Sequence, residues 1–316
     1  MPPAGRPELA DLSALPAARL APLLEEEKAR WLNLFHWDFA PLADMILRHA
    51  GTGMLEGFVL LEGGAPAGYA YYVSENDKGL VGNLFLRDAW RCPANEGMLL
   101  GAVIARLRSL RWLRRAEAQL MQLSSRGAAL HLPGAPPAVY PRQFMLAKLE
   151  RIPAAGRPPG ELHFERWSAY WMDAAAELIA ASYRDHVDSE INNQYRSAAG
   201  ARRFLENIVR YPGCGYFAPD CSWMAVDSHG SVVGACLASR IAPMTGHIAQ
   251  ICVAPAYQGC GAGAELLRRS LLSLQSSGAA EASLTVTSAN TRAIRLYERF
   301  AFRSIHQFDA LVWDPL

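Results

Sequence analysis

The chain has 316 residues, 31 Lys plus Arg against 30 Asp plus Glu, and 51% apolar positions. That is ample material for a core and, at roughly 150 residues per domain, enough length for two domains. A formal charge of +1 supplies no clustered basic excess, which counts against nucleic acid and anionic membrane surfaces as partners. No run reaches the ~20 apolar residues of a transmembrane helix, and the opening MPPAGRPELADLSALP lacks the basic and apolar regions of a signal peptide, so a cytoplasmic location is expected. The cysteines Cys92, Cys214, Cys221, Cys236, Cys252 and Cys260 show neither CxxC pairing nor zinc-type His spacing. They are expected to be reduced thiols, with no metal site.

Along the chain, each half reads as a helical opening, a strand hairpin, a further strand, a helix and a short β-rich end. The halves therefore look like distant copies in pattern rather than in residues. In the first half, Leu86-Arg-Asp-Ala-Trp90-Arg-Cys-Pro-Ala-Asn-Glu-Gly97 follows a strand without a glycine series, and Glu96 stands where a helix start would attract an anion, which disfavours phosphate there. Between the halves, Arg151-Ile-Pro-Ala-Ala-Gly-Arg-Pro-Pro-Gly160 is too rich in proline and glycine to continue a helix or central strand, and is expected to be a linker. The expected division is 1–150, a linker at 151–160, and 161–316.

In the second half, Trp171, Ala175, Leu178 and Ile179 fall at helical spacing, and a second helix is expected around 201–209. Residues 222–226 and 231–238 alternate across Asp227-Ser-His-Gly230, a hairpin signal. A strand over 247–253 ends at Pro255; Leu267, Leu271 and Leu274 mark a helix; 283–287 is a short strand; Ala293, Ile294, Tyr297 and Phe300 recur at helix spacing. The expected class is α/β with a mixed, mostly antiparallel sheet and helices on both faces, in the order ααβββαβαβ.

The stretch Ile251-Cys-Val-Ala-Pro-Ala-Tyr-Gln-Gly-Cys-Gly-Ala-Gly263-Ala-Glu-Leu-Leu267 combines a strand, a proline-stopped turn, a glycine run and a helix. Its chemistry is anion binding: glycines let backbone N–H groups converge, and the helix adds its unpaired first-turn N–H groups and the positive end of its dipole. A P-loop needs Lys and Ser or Thr after its last glycine, whereas Ala264-Glu265 follow Gly263, which removes that reading. Gly259-x-Gly261-x-x-Ala264 satisfies a loose dinucleotide pattern, but Glu281 precedes its strand instead of ending it. A nicotinamide or flavin site stays as the alternative at this point.

Gln258-Gly259-Cys260-Gly261-Ala262-Gly263 after Val253-Ala254-Pro255, with Asn290-Thr-Arg-Ala293-Ile-Arg-Leu296-Tyr297-Glu298-Arg-Phe-Ala301-Phe302 following in order, resembles the two signature blocks of the GNAT superfamily of acyl-CoA N-acetyltransferases. Ala301 departs from the usual glycine and costs about 1 kcal/mol if its φ is positive. The resemblance covers about 160–316 and implies two GNAT-like domains in tandem, the first degenerate and non-catalytic.

The resemblance implies acetyl-CoA as acyl donor, with backbone groups of Ile251, Cys252 and Val253 along the pantetheine arm, Gln258, Gly259, Cys260, Gly261, Ala262 and Gly263 around the pyrophosphate, and Asn290 at the facing strand end. Tyr297 matches the family tyrosine beside the cofactor sulfur and is the expected general acid. His247 is the expected base, placed by strand alternation on the face of Ile251 and Val253; Gln250 cannot serve as one. Tyr183, His186, Asp188, Asn192 and Tyr195 are the expected acceptor-binding residues, suited to a cationic or polyhydroxyl amine of a small molecule. A CoA-binding sensor without turnover and a protein or peptide N-acetyltransferase are the rival readings. A monomer is expected.

Overall fold

The computed structural model describes residues 7–127, 130, 132–154 and 162–316; the expected linker lies outside the described residues from 155 to 160. In chain order, β1 (Glu8–Asp11) leads into α1 (Ala17–Phe35) and α2 (Ala40–Gly51), the latter opened by a proline in its first turn, where a missing N–H costs nothing. Strands β2 (Gly57–Glu62), β3 (Ala65–Glu75) and β4 (Lys78–Leu86) form a meander, followed by α3 (Pro93–Ser109), β5 (Arg115–Gln119) and β6 (Ala138–Lys148). Next come β7 (His163–Arg166), α4 (Met172–Ser182), the single turn α5 (Val187–Ile191) and α6 (Ala198–Arg210), which is capped by Ser197 accepting from Gly200 N at 3.1 Å. The chain finishes with β8 (Tyr216–Phe217), β9 (Trp223–Val226), β10 (Val232–Ala242), β11 (Thr245–Val253), α7 (Ala262–Ser276), β12 (Glu281–Thr287), α8 (Thr291–Arg299) and β13 (Arg303–Trp313).

These elements make two compact units. The first comprises the chain through Leu34, Asp38–Arg142 and Gln307–Leu316; the second comprises Phe35–Trp37 and Gln143–His306. In the first, the strand order is β1-β2-β3-β4-β5-β13, antiparallel except for the parallel β4–β5 pair. Leu20, Leu23, Leu24 and Ile46 of α1 and α2 bury one face against Val59, Tyr69, Tyr71 and Phe85, while Leu99, Val103, Ile104 and Leu107 of α3 bury the other. The C-terminal residues Ala310–Trp313 pair with β5, so the last strand completes the sheet of the first unit.

In the second unit the order is β6-β12-β11-β10-β9-β7, with β8 on β10 and β11–β12 the parallel pair. Leu266, Leu267, Leu271 and Leu274 of α7 and Tyr297 of α8 pack on Cys236, Ala238, Ile248, Leu284 and Val286. On the opposite face, Ala175, Leu178, Ile179, Ala201 and Leu205 of α4 and α6 pack on Met224, Ala235, Leu237 and Cys252. Each such leucine contributes about 1.5–3 kcal/mol by burial. This is the expected mixed sheet with helices on both faces.

The two units repeat one local device. The β4–β5 ladder ends at Val81–Ala118 and the β11–β12 ladder at Ile248–Leu284. Immediately afterwards each strand loops out one residue, Gly82 in β4 and Ala249 in β11, against its antiparallel neighbour. The spacing onward is the same: a Cβ on Gly79 would meet Leu107 at 2.7 Å, and one on Gly246 would meet Leu274 at 2.6 Å, so each strand needs glycine where its helix crosses closest.

Candidate active site

Strands β11 and β12 pair from Thr245–Glu281 to Ile248–Leu284, and no further. Both continue, to Val253 and Thr287 respectively, so they diverge and turn the backbone of 249–253 toward an open cleft. Backbone polar groups in such a cleft need partners from another chain or a ligand. Ile251, Cys252 and Val253 stand on this edge. Ile251 O accepts from Tyr183 Oη at 3.4 Å, and Val253 O accepts from Gln258 Nε2 at 3.1 Å.

At the open end of the cleft, Pro255–Tyr257 makes a helical turn and Gln258–Gly261 leads into α7. Gly259 has φ +86° and Gly261, at the cap of α7, φ +95°, conformations that exclude a β-carbon without strain. No side chain caps α7, and the first-turn N–H groups of Ala262, Gly263 and Ala264 precede any helical acceptor, which leaves them for an anion. Cys260 Sγ donates to Tyr257 O at 2.8 Å and is thereby tied into the turn. Glu265, the acid of this first turn, is held by Arg268 and Arg269 at 2.7 Å each, which cancels its charge. Arg292, a residue the sequence patterns did not single out, reaches the loop from α8: its guanidinium donates to Gln258 Oε1 at 2.6 Å and lies 3.6 Å from where a Gly259 Cβ would be.

Asn290 caps α8, its Oδ1 accepting from Ala293 N at 3.1 Å. About two turns on, Tyr297 is buried, with its ring 6.0 Å from Phe302. The helix ends with Ala301 at φ +62°, where Phe302 N and Ala301 N return to Tyr297 O and Glu298 O, so the anticipated strain at this non-glycine position is present.

The helix side of the cleft gathers the expected acceptor-binding groups. Tyr183 stacks on Tyr195 with centroids 4.6 Å apart, accepts from Gln250 Nε2 at 2.9 Å, and is pushed well above the ordinary phenol range by burial, reinforced by Tyr195, Cys252, Asp188 and Tyr297 nearby. Tyr195 Oη donates to Gln250 Oε1 at 3.4 Å. Thr287 Oγ1 donates to Asp188 Oδ1, which ties the end of β12 to α5. His186 caps α5 by accepting from Asp188 N, and its ring meets Tyr183 edge-on at 5.3 Å. Asn192 accepts from Gln194 N at 3.1 Å as a local cap. Burial pushes the Cys252 thiol up to about 12, so it is a neutral lining group.

His247 requires a correction. With Ala249 looped out, alternation shifts by one, and His247 pairs across from Ser239 while Gln250 pairs with Leu237 and Cys252 with Ala235. The histidine therefore shares the face of Gln250 and Cys252, opposite that of Ile251 and Val253. It is buried, with Nδ1 at 2.9 Å from Ser283 Oγ and its ring 5.2 Å from Trp37 and 6.3 Å from Phe144. Trp37 belongs to a three-residue insertion from the first half of the sequence: Phe35 packs on Phe144 and His306, and His36, at φ +52°, sits 2.5 Å from Glu281 Oε2. No periodicity in the sequence marks these three residues for this place. The described residues contain no helix long and apolar enough to cross a membrane, and the six cysteines are free.

Residues 172–302 match the Acetyltransferase (GNAT) family. Among solved structures, the chain is similar to a GCN5-related N-acetyltransferase from Sphaerobacter thermophilus, at 18% identity and TM-score 0.69, covering 99% of this chain and 97% of that one. It is also similar to a tandem GNAT protein from the clavulanic acid biosynthesis pathway, at 14% identity and TM-score 0.55, covering 98% and 99%. A glucosamine N-acetyltransferase region of a fungal multi-domain β-N-acetylglucosaminidase matches at 13% identity and TM-score 0.58, over 98% of this chain and 38% of that one. No curated protein matches the sequence. Divergent parallel strands, a glycine turn at a bare helix start and the sequence match over the same residues agree: 172–302 form a GNAT acetyltransferase domain.

Proposed function

We propose that the chain is an acetyl-CoA-dependent N-acetyltransferase acting on the amine of a small molecule, with 161–316 catalytic, 151–160 a linker and 1–150 a degenerate, non-catalytic copy. The observation that carries this reading is the divergence of β11 and β12 after Ile248–Leu284, opening on the bare start of α7. The donor supplies an activated acetyl thioester. Ile251, Cys252 and Val253 would hold its pantetheine arm through backbone groups, Gln258, Gly259, Cys260, Gly261, Ala262 and Gly263 its pyrophosphate, and Asn290 its β12 side.

Two proton tasks fall to this chain's own residues. An amine must reach the acetyl carbon unprotonated, and a leaving thiolate of pKa about 8.5 gains from a nearby O–H donor, help worth roughly 10²-fold. Tyr297 serves as the donor and His247 as the base. Cys252, held neutral at the cleft, is unsuited to carry an acyl group, which supports direct attack of the amine on the thioester. Tyr183, His186, Asp188, Asn192 and Tyr195 make the acceptor side; their carboxylate, amide and phenol groups suit a cationic or polyhydroxyl amine. The cytoplasm and a monomeric state complete the reading.

Calorimetric titration of the full chain with acetyl-CoA, with NAD as control, tests it. One acetyl-CoA site per chain followed by thiol release across an amine panel is the expected result. Binding without turnover on any amine would leave a sensor, and no binding would overturn the reading.

A further inference from the structure

His247 and Ser283 are register partners in the parallel ladder of β11 and β12, one step before its last pair, Ile248–Leu284. Paired residues point to the same face of a sheet, so the two side chains stand together just before the strands part. Both are buried, Ser283 completely. The Ser283 hydroxyl lies 2.9 Å from His247 Nδ1 and 3.3 Å from Gly246 O. A hydroxyl has one hydrogen to give, a carbonyl oxygen only accepts, and a ring nitrogen does either. A single assignment makes both contacts hydrogen bonds: Ser283 Oγ–H donates to Gly246 O, and His247 Nδ1–H donates to Ser283 Oγ.

We infer that Ser283 is the positioning residue of the base: it holds the neutral imidazole of His247 in the Nδ1–H tautomer and leaves the lone pair on Nε2. This rests on the acetyltransferase reading and adds to it the tautomer and the residue that selects it. A proton leaving the acceptor amine can enter the ring only at the nitrogen that carries the lone pair. When Nε2 takes it, Nδ1–H keeps the acceptor it already has, so no hydrogen bond on the Ser283 side has to be exchanged. The ring plane is held from other directions by Trp37, 5.2 Å away and tilted by 50°, and by Phe144, 6.3 Å away at 13°. A flip of the imidazole about its Cβ–Cγ bond would set a carbon against Ser283 Oγ and lose the bond. His247 shares its face of β11 with Gln250, which bonds Tyr183 and Tyr195, so the orientation is fixed on the side where the acceptor groups gather.

The tautomer is read by proton–nitrogen correlation spectroscopy of the full chain with the imidazoles neutral, the His247 signals being those that vanish in His247→Gln. Protonated Nδ1 is expected in the wild-type chain, and a mixture of both tautomers in Ser283→Ala. In steady-state kinetics Ser283→Ala should lower kcat about tenfold with KM for acetyl-CoA unchanged, and should lower it no further in the His247→Gln background, because Ser283 acts through His247. A wild-type ring protonated on Nε2, or a tautomer that Ser283→Ala leaves unchanged, would overturn the inference. So would a fall in kcat that persists in the double variant, which a merely structural role predicts. Those three outcomes leave the transferase reading standing, whereas a wild-type chain that transfers acetyl to no amine would overturn that reading and the inference with it.

Discussion

Glu96 stands in the first turn of α3 where Gly263 stands in the first turn of α7. Its carboxylate is buried and accepts from Ser124 N at 2.6 Å, Ser124 Oγ at 2.8 Å and Ser125 N at 3.1 Å. In the first unit the chain thus supplies its own anion at the helix start. In the second, the matching position is glycine, where a Cβ would make ordinary van der Waals contact with Val253 Cγ2 at 3.4 Å. Gly263→Glu should therefore weaken acetyl-CoA binding at least 10²-fold, by placing a carboxylate's bulk and negative charge beside the first-turn N–H groups that would hold the phosphate. Calorimetry would show it; unchanged affinity would remove the loop from the donor site.

Tyr297→Phe deletes one hydroxyl from a buried ring and keeps its packing on Phe302. We expect kcat to fall about 10²-fold with the acetyl-CoA Kd unchanged, the signature of a group that acts on the leaving thiolate. Steady-state kinetics beside a binding titration separates the two; equal rates would end the acid role.

His247→Gln keeps a polar group beside Ser283 and removes the titrating ring. If His247 takes the proton of the amine, the acidic limb of the kcat/KM profile disappears and the rate near neutral pH falls about 10²-fold. A retained acidic limb would assign the base elsewhere.

In the first unit, burial raises Glu27 from 4.5 to about 7, although Tyr69, Asn83 and Trp31 hydrogen-bond it. The folded state binds this proton more tightly than the unfolded chain, so the contribution is whole below about pH 4.5 and is lost as pH rises through about 7. The loss is on the order of 3 kcal/mol. Glu27→Gln, which mimics the protonated form, should flatten the denaturation midpoint between pH 5 and pH 8 on the order of that scale. An unchanged slope would locate the proton elsewhere.

Ala301 holds φ +62° at the end of α8. Ala301→Gly should stabilise the chain by about 1 kcal/mol, because glycine accepts this conformation without the β-carbon clash. Urea denaturation would read the gain, and a loss would show that the side chain packs more than its backbone strains.

The parts of the site that were legible in advance are local ones. Val253-Ala-Pro255 followed by the glycines at 259, 261 and 263 reads as a strand, a turn and a helix start because each residue type limits its own backbone, and the structure places Gly259 and Gly261 at the positive φ that only glycine adopts freely. Asn290 and Tyr297 were readable for the same reason, as a cap and a helix-face residue seven positions on. The face of His247 was not. Period two carries through a strand only while the ladder is regular, and the looped-out Ala249 is set by pairing with β10, which no alternation in β11 records.

By itself, then, the sequence determined the type of each main element and the glycine turn, since those follow from backbone preference and periodicity over a few residues; the two signature blocks carried the family resemblance. Tertiary structure alone decided what lies side by side: Phe35–Trp37 against Phe144 and His247, the C-terminal strand on β5, and His186 opposite Asn290. These pairs are each separated by more than a hundred residues, and which of many compatible surfaces meet is chosen by packing the whole chain at once, a choice that no short window of sequence contains.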